Sequence, residues 1–243
     1  MFGIFNKKKS FLDIWSGTPE MHCHVLPGID DGAKTVAHSE VLLRKYKSLG
    51  CDKIIATPHT MGGIYDNTPA TILNAYNSIK EMQGIDLSYS SEYMLDEVFA
   101  NYLEKKELIP LVDNFVLVEM SFFQPPENLF EQIFKIGSQG YIPIIAHPER
   151  YAYYHKRPEI YRDFKKKGCL LQLNGLSLSN HYGESVQKIA SDLLKDDLYD
   201  FIGLDTHRID HLEKIEKMQI PAKYSSALEN ICLNTRKTFH NLL

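Results

Sequence analysis

Short hydrophobic runs alternate along this chain with longer segments in which apolar residues recur every three or four positions. The short runs predict seven β-strands, because strands buried on both faces of a parallel sheet are apolar throughout. They cover residues 21–25, 53–57, 87–95, 115–121, 142–148, 169–175 and 201–207. The longer segments predict helices over residues 35–49, 69–83, 97–106, 127–139, 157–167 and 184–195. The residues from Ile209 onward are also expected to be helical, with a break at Pro221.

Proline and glycine mark the expected ends of these helices. Proline lies near the first turn in Thr68-Pro69, Pro126-Glu127 and Arg157-Pro158, where its missing N–H costs least. Glycine follows the helical segments at Gly50, Gly84, Gly140 and Gly168, where a left-handed residue ends a helix.

Strand and helix alternating in this order predict a parallel sheet covered by helices. Seven such units in 243 residues favour a closed or nearly closed α/β barrel, and an open doubly wound sheet is the alternative. We expect an N-terminal extension over residues 1–19 and a single domain over residues 20–243.

Polar residues of one chemical kind stand at the ends of the predicted strands. The strands end in His59, Glu119 and His147, and the last one ends in Asp205 and His207. Glu92 lies inside the third strand. Barrel enzymes build their sites from side chains at the carboxyl ends of the strands, which is where these residues fall.

The first strand carries the same signal in the stretch HCHVLPGIDDG. Side chains alternate along a strand, so His22 and His24 share one face, and Cys23 points the other way into the packing. If the barrel closes, this strand neighbours the last one and four candidate ligands converge. A lone histidine is more often structural, and this reading is kept for His38, His155, His181, His211 and His240.

The strand-end residues, together with one of the paired aspartates, predict a metal centre. The nine candidate ligands are His22, His24, His59, Glu92, Glu119, His147, Asp205, His207 and one of Asp30 and Asp31. Nitrogen and oxygen ligands without a thiolate suit Mn, Fe or Zn. Nine ligands are too many for one ion and indicate a cluster of two or three.

Composition limits the classes of function. The formal net charge of −4 argues against a nucleic-acid partner. The four cysteines are widely spaced, and with no export signal at the N-terminus they favour a reduced, cytoplasmic protein. No stretch approaches the ~20 apolar residues of a membrane span. At most, Phe2, Ile4, Phe5 and the lysines at 7–9 contact a membrane surface, and a frayed tail is the simpler reading.

The motifs, taken in order, resemble the PHP (polymerase and histidinol phosphatase) superfamily, and more closely its protein-tyrosine phosphatases of capsule and exopolysaccharide operons. The motifs are HCHVLPGIDDG, TPHTMGGIYDNTP, SEYMLD, VLVEMS, IAHPERY and GLDTHR, which span residues 22–208. The resemblance implies a distorted seven-stranded α/β barrel with a trinuclear metal centre.

The resemblance also implies how the ligands are shared among the ions. One ion is expected at His22, His24, Glu92 and Asp205, a second at Glu92, Glu119 and His147, and a third at Asp31, His59 and His207. Glu92 would bridge the first two ions. Asp30 is the alternative to Asp31, although it is expected to cap the turn instead.

Two arginines are implied at the reaction site, and two positions depart from the family pattern. Arg150 resembles the phosphate-binding arginine of the family, and Arg208 is a weaker candidate for the same role. The family has Asp where this chain has Glu20, and a small polar residue where it has Leu204. Both changes are expected to affect the support of the ligands rather than the ligands themselves.

The expected activity is metal-assisted hydrolysis of phosphotyrosine. No cysteine is followed by arginine six positions later, and the chain has neither a DxDx[TV] stretch nor a phosphate-binding GxxxxGK[ST] loop. The implied partner is a tyrosine-phosphorylated protein, namely a tyrosine autokinase of polysaccharide export. The alternatives are a phosphatase of histidinol phosphate or another small phosphomonoester, and a metal-stabilised regulatory binding protein without catalysis. A polymerase-associated exonuclease fits less well.

Overall fold

A computed structural model describes residues 7–81 and 84–240. The predicted membrane contact through Phe2, Ile4 and Phe5 lies outside these residues. Within them, no helix has the length and hydrophobicity needed to cross a bilayer.

The strands form one six-stranded and one three-stranded parallel sheet, together with a small antiparallel pair. The strands are β1 (Lys8–Ser10), β2 (Glu20–Cys23), β3 (Lys53–Ala56), β4 (His59–Thr60), β5 (Asp86–Tyr89), β6 (Glu92–Met94), β7 (Phe115–Glu119), β8 (Ile142–Ala146), β9 (Leu170–Asn174), β10 (Phe201–Gly203) and β11 (Gln219–Pro221). The larger sheet has the order β10-β9-β8-β7-β6-β4, the smaller one β2-β3-β5, and β1 pairs with β11. The predicted parallel α/β architecture is confirmed.

The two parallel sheets are joined by backbone hydrogen bonds on one side and by the chain itself on the other. On one side, the Asp205 N–H donates to the His22 carbonyl at 2.7 Å, and the His24 N–H donates to the Thr206 carbonyl at 2.9 Å. On the other side, the chain bends from β3 into β4 and from β5 into β6, so that each bend carries the backbone from one sheet to the other. The first and last strands are therefore neighbours, as expected for a barrel.

The third predicted strand, residues 87–95, differs from the structure. It is interrupted at Ser90 and Ser91, and its halves β5 and β6 belong to different sheets. The Ser91 hydroxyl donates to the Pro58 carbonyl at 2.8 Å, and Ser90 donates to the Ile109 carbonyl at 2.7 Å. These bonds hold a bend that the continuous run of strand-forming residues does not reveal.

The predicted helices are present, with shifted ends. The helices of the structure are α1 (Phe11–Trp15), which was not predicted, and α2 (Val36–Ser48), α3 (Pro69–Asn77), α4 (Glu97–Lys105), α5 (Leu129–Ser138), α6 (Glu159–Lys166), α7 (Glu184–Lys195), α8 (Ile209–Lys217) and α9 (Ser225–Phe239). Thr68 caps α3 with Pro69 in the first turn, as predicted. Helix α5 begins two residues after the predicted start, and α3 ends well before Gly84. Gly140 and Gly168 follow the ends of α5 and α6 with positive φ, as predicted.

The hydrophobic core has two parts that leave one end of the strands free for polar groups. The larger part lies between sheets and helices and includes Cys23. The smaller part includes Met21, Leu117 and Phe239. Leu117 lies two residues before Glu119 on β7, so both side chains share one face. The smaller cluster therefore packs directly beneath the polar strand ends.

Residues 7–19 pack onto this core. Strand β1 pairs with β11 through Lys9 and Ile220, and Phe11 and Trp15 in α1 are fully buried. Truncation of a buried aromatic side chain to alanine lowers the free energy of unfolding by about 3–5 kcal/mol. The two side chains therefore contribute several kcal/mol to stability.

Candidate metal centre

All nine predicted ligands lie in one region of the structure. Strands β2, β4, β6 and β7, with the residues that follow β2, β8 and β10, supply eight of them, and the loop before α2 supplies Asp31. His59 and Glu92 are the first residues of β4 and β6, whereas His59 was expected at the end of a strand. Their ligand atoms form groups in which all atoms lie within 4.8 Å of one another. The groups are His22, His24, Glu92 and Asp205; His24, Asp31, His59 and His207; and His59, Glu92 and Glu119.

The first group is fully buried and matches the ligand set expected for one ion. His22 Nε2 lies 3.1 Å from Glu92 Oε2, and His24 Nε2 lies 3.2 Å from Asp205 Oδ1. The two Nε2 atoms are 3.4 Å apart. Four potential ligand atoms of two chemical kinds thus face one small volume.

The other two groups differ in detail from the expected sets. His59 Nδ1 lies 2.8 Å from Glu119 Oε1 and 3.1 Å from Glu92 Oε2, so it belongs to two groups. His147 lies outside the groups but contacts the other oxygen of Glu92, Oε1, at 2.9 Å. Asp31 Oδ1 is 3.3 Å from the Nε2 atom of His207.

Several atoms of the centre are buried without a hydrogen-bond partner. They include Glu92 Oε2, Asp205 Oδ1 and His147 Nδ1. Imidazole nitrogens lie 3.1–3.4 Å from Glu92 Oε2, yet none has hydrogen-bond geometry toward it. Buried polar atoms normally have hydrogen-bond partners. The lack of such partners at these three atoms indicates that they interact with another group, such as a cation. The residues therefore fit bound divalent metal ions.

The charges of the centre point the same way. Burial and the nearby charge of Glu92 raise the pKa of Glu119 to about 7. Burial and the charge of Arg150 lower the pKa of His147 to about 4, which leaves its imidazole neutral. A bound cation would favour the ionised form of Glu119, which burial and Glu92 oppose. The neutral imidazole of His147 can coordinate the same kind of cation.

Two candidate ligands have a backbone conformation that costs energy. His147 has φ of 34° and Asp205 has φ of 51°, both in the left-handed region where residues other than glycine are uncommon. Each follows the end of a strand, at β8 and β10. Such strain is typical of functional sites, because the surrounding structure fixes a side chain in one direction.

A layer of side chains that the sequence analysis did not identify orients the ligands. Gln172 Oε1 accepts from His22 Nδ1 at 3.0 Å, and Asn174 Nδ2 donates to Asp205 Oδ2 at 3.0 Å. Hydrogen bonds of this kind fix the orientation and tautomer of metal-binding histidines. The signal was present in LLQLNG, where two polar residues two positions apart interrupt a buried strand.

The adjacent aspartates occupy different positions. Asp30 is buried, and its carboxylate contacts His24 Nδ1 at 2.8 Å and accepts from the N–H groups of Gly32 and His59. Asp31 is half exposed and contacts His59 and His207 instead. Asp30 thus supports a ligand and the turn, while Asp31 faces the cluster.

Glu20 and Leu204, the two departures from the family pattern, contact each other. The Leu204 N–H donates to the Glu20 carboxylate at 3.0 Å, as does the His22 N–H at 2.8 Å. Burial raises the pKa of Glu20 to about 7. This carboxyl group links the first and last strands directly beneath two candidate ligands.

The two arginines lie in different environments. Arg150 Nη1 donates to Asp205 Oδ2 at 2.7 Å, and its guanidinium lies between the rings of Phe122 and Tyr182, 4.6 and 4.3 Å from their centroids. Arg208 is 65% exposed and pairs with Asp210 at 3.1 Å. Only Arg150 is held rigidly at the edge of the cluster.

Metal binding is expected to release protons at neutral pH. Burial and the charge of His24 lower the pKa of His59, but Glu92 and Glu119 outweigh them and raise it to about 10. Without metal, His59 is therefore protonated at pH 7, and an ion must displace this proton to bind. Affinity should rise with pH up to about 10 and fall as the pH drops.

Titration calorimetry in buffers of different ionisation enthalpy measures this release. His59→Ala should release about one proton fewer than the wild type, whereas His38→Ala, at an exposed site outside the cluster, should not differ. A metal-binding enthalpy that does not depend on the buffer would contradict the prediction.

Comparison with known proteins identifies similar chains. Residues 18–227 match the model of the family described as capsular polysaccharide synthesis, CpsB/CapC. The tyrosine-protein phosphatase YwqE of Bacillus subtilis (strain 168) is 31% identical over 196 residues, which are 78% of this chain and 77% of that protein. The tyrosine-protein phosphatase CpsB of Streptococcus pneumoniae is 28% identical over 204 residues, which are 79% of this chain and 83% of that protein.

Solved structures agree with these matches. A chain from the crystal structures of YwqE from Bacillus subtilis and CpsB from Streptococcus pneumoniae, described as metal-dependent tyrosine phosphatases, has a TM-score of 0.78 and 26% identity. It covers 92% of this chain and 95% of that one. An organophosphorus hydrolase of Deinococcus radiodurans, at 11% identity and a TM-score of 0.53, covers 98% of both chains and shares the fold.

Proposed function

Because this chain belongs to the capsular polysaccharide synthesis family CpsB/CapC, we propose that it is a metal-dependent protein-tyrosine phosphatase. Its similarity to YwqE and CpsB supports this activity, as do the histidine and carboxylate groups able to hold metal. The single observation that carries the proposal is the buried group of His22, His24, Glu92 and Asp205, whose ligand atoms converge without forming an ordinary hydrogen-bond network.

The nine predicted ligands would hold two or three divalent ions. Manganese is our first expectation, with iron or zinc as alternatives, because all the ligands are nitrogen or oxygen. His24, His59 and Glu92 each belong to two of the groups, so each of them could serve as a ligand to either of two ions. We further propose that the curved sheets form one distorted seven-stranded barrel, in which β3 with β4 and β5 with β6 are bent single strands. Residues 20–243 would form its one domain, after an extension at 1–19.

The chain's own residues would bind and orient the phosphate. When bound, the ions supply Lewis-acid stabilisation of the negative charge on the phosphate and lower the pKa of water. Arg150 would bind phosphate oxygens beside them, because guanidinium forms paired hydrogen bonds with such oxygens and stays charged at working pH. Arg208 would contribute less, since it is exposed and already pairs with Asp210. Gln172, Asn174 and Asp30 would keep the ligands aligned.

The proposed substrate is a tyrosine-phosphorylated protein, with a tyrosine autokinase of polysaccharide export as the expected partner in the cytoplasm. A phenolic leaving group, with a pKa of about 10, departs with less acid assistance than an alkyl alcohol requires. Tyrosine phosphate therefore suits a site that offers cationic groups rather than a strong general acid. Nucleic acid is not expected as a partner, and membrane contact is expected to be peripheral at most.

Comparing three substrates tests the function. A metal-loaded sample should hydrolyse a phosphotyrosine peptide faster than histidinol phosphate and should leave single-stranded DNA intact. The activities are compared as kcat/KM values. Preference for histidinol phosphate would favour the alternative of a small-molecule phosphatase. Metal-replete protein that hydrolyses none of the three would favour a regulatory binding protein.

A further inference from the structure

A cavity of about 320 Å³ opens beside the metal centre, and most of the surface that it exposes is apolar. Its walls come from helices α2 and α8 and from the loop before α2, through Ala33, Val41, Leu42 and Ile209. Its volume is at the lower end of the range for small-molecule sites. The nine ligands and the two arginines leave most of this cavity unexplained.

The cavity includes the two most solvent-exposed candidate ligands of the metal centre. Asp31 and His207 line it, and their side chains are 50% and 16% exposed, whereas His22, His24 and Glu92 are fully buried. The cavity therefore offers a phosphate group a path from solvent to the cluster. A group esterified to a phosphate that enters by this path would lie in or next to the cavity.

The rim of the cavity carries positive charge. Lys34, His38 and Arg208 line it, together with the carboxylate of Asp31. The charges of Lys34 and Arg208 attract a phosphate dianion and repel a cationic leaving group. Contact of a short alkyl ester with the apolar walls buries little hydrophobic surface and contributes little binding free energy. An aromatic ring is larger and more hydrophobic, so burial of its face against these walls contributes more.

From this combination we infer that the cavity binds the phenyl ring of phosphotyrosine and selects aryl over alkyl phosphates. The inference rests on the proposed function, since it places the substrate's phosphate at the metal centre. Val41, at the wall and half exposed, is the specificity-determining residue. Asp31 and His207 act in metal binding, and the selection is assigned to the apolar wall.

The test uses two variants at Val41 and matched controls at Val36. Val36 is a similarly exposed valine on the same helix, but it does not line the cavity. Val41→Trp should fill the cavity and Val41→Asn should make its wall polar. Both should lower kcat/KM for a phosphotyrosine peptide about tenfold or more, through KM, while leaving a phosphoserine peptide of the same sequence within about twofold. Val36→Trp and Val36→Asn should behave as wild type.

A binding measurement makes the result independent of turnover. Titration calorimetry of metal-loaded wild type should give tighter binding of phenylphosphonate than of methylphosphonate by about tenfold, and Val41→Trp should abolish this preference. Equal affinity of wild type for the two phosphonates overturns the inference, as do equal losses on both peptides. If the phenyl preference holds but only histidinol phosphate is hydrolysed, the proposed function fails while the ring site stands.

Discussion

Replacing Glu92 with glutamine is expected to remove bound metal and to lower turnover on the order of 10³-fold or more, which is about 4 kcal/mol of transition-state stabilisation. Glu92 Oε2 lies within 3.4 Å of nitrogens of His22, His24 and His59, and Oε1 contacts His147 at 2.9 Å. One carboxylate therefore reaches every part of the cluster. A glutamine has the same shape, but its neutral oxygen is a weak ligand and its NH₂ group repels a cation.

Elemental analysis, on protein purified without chelator and supplemented with metal, measures this loss. The wild type should contain two or three ions per chain and Glu92→Gln fewer. Glu97→Gln makes the same chemical change at an exposed position at the start of α4 and should keep both metal and activity. No more than one ion per wild-type chain would exclude a cluster, and unchanged metal in Glu92→Gln would exclude this carboxylate as a bridging ligand.

The second large effect is expected for Arg150→Ala, which should keep its metal and fold while losing about 10² or more in turnover. The guanidinium is already held in place by the rings of Phe122 and Tyr182 and by Asp205. A charge fixed before the substrate arrives stabilises a transition state without having to reorganise. A surface ion pair, by contrast, would contribute at most ~1 kcal/mol.

Activity and metal content measured together decide the role of Arg150. Arg157→Ala removes an exposed arginine that pairs only with Glu159 and should be nearly silent, and Arg208→Ala should have an effect smaller than that of Arg150→Ala. Near-normal hydrolysis of phosphotyrosine peptide by metal-replete Arg150→Ala would remove this residue from the mechanism. Loss of metal along with activity would make it a structural partner of Asp205.

The positions of most strands and helices could be predicted because the signals are local. Apolar runs mark the strands, and Thr68-Pro69 marks a helix start, since each reports the preferences of a few adjacent residues. The interruption at Ser90 and Ser91 could not be predicted in this way. It depends on hydroxyl bonds to Pro58 and Ile109, which are distant in sequence.

In the candidate site, too, features that depend on local sequence could be predicted, and those that depend on distant contacts could not. The candidate ligands could be identified because a histidine or carboxylate at the end of an apolar strand has no packing role. The supporting contacts could not, because Gln172 meets His22 across 150 residues and Leu204 meets Glu20 across 184. The grouping of the candidate ligands, with His24, His59 and Glu92 each in two groups, depends on the curvature of the sheets rather than on spacing.

The hydrogen bonds that join His22 and His24 to the residues after β10 have a consequence for how the protein is made. The two halves of the site are separated by about 180 residues and meet only when the last strand is in place. Contacts this distant in sequence form late and slow the folding of a chain. During synthesis from the N-terminus, the earlier strands would wait without their final neighbour, and an incomplete chain could hold at most a partial ligand set. The full set of candidate ligands should thus be available to metal only after the last strand is in place.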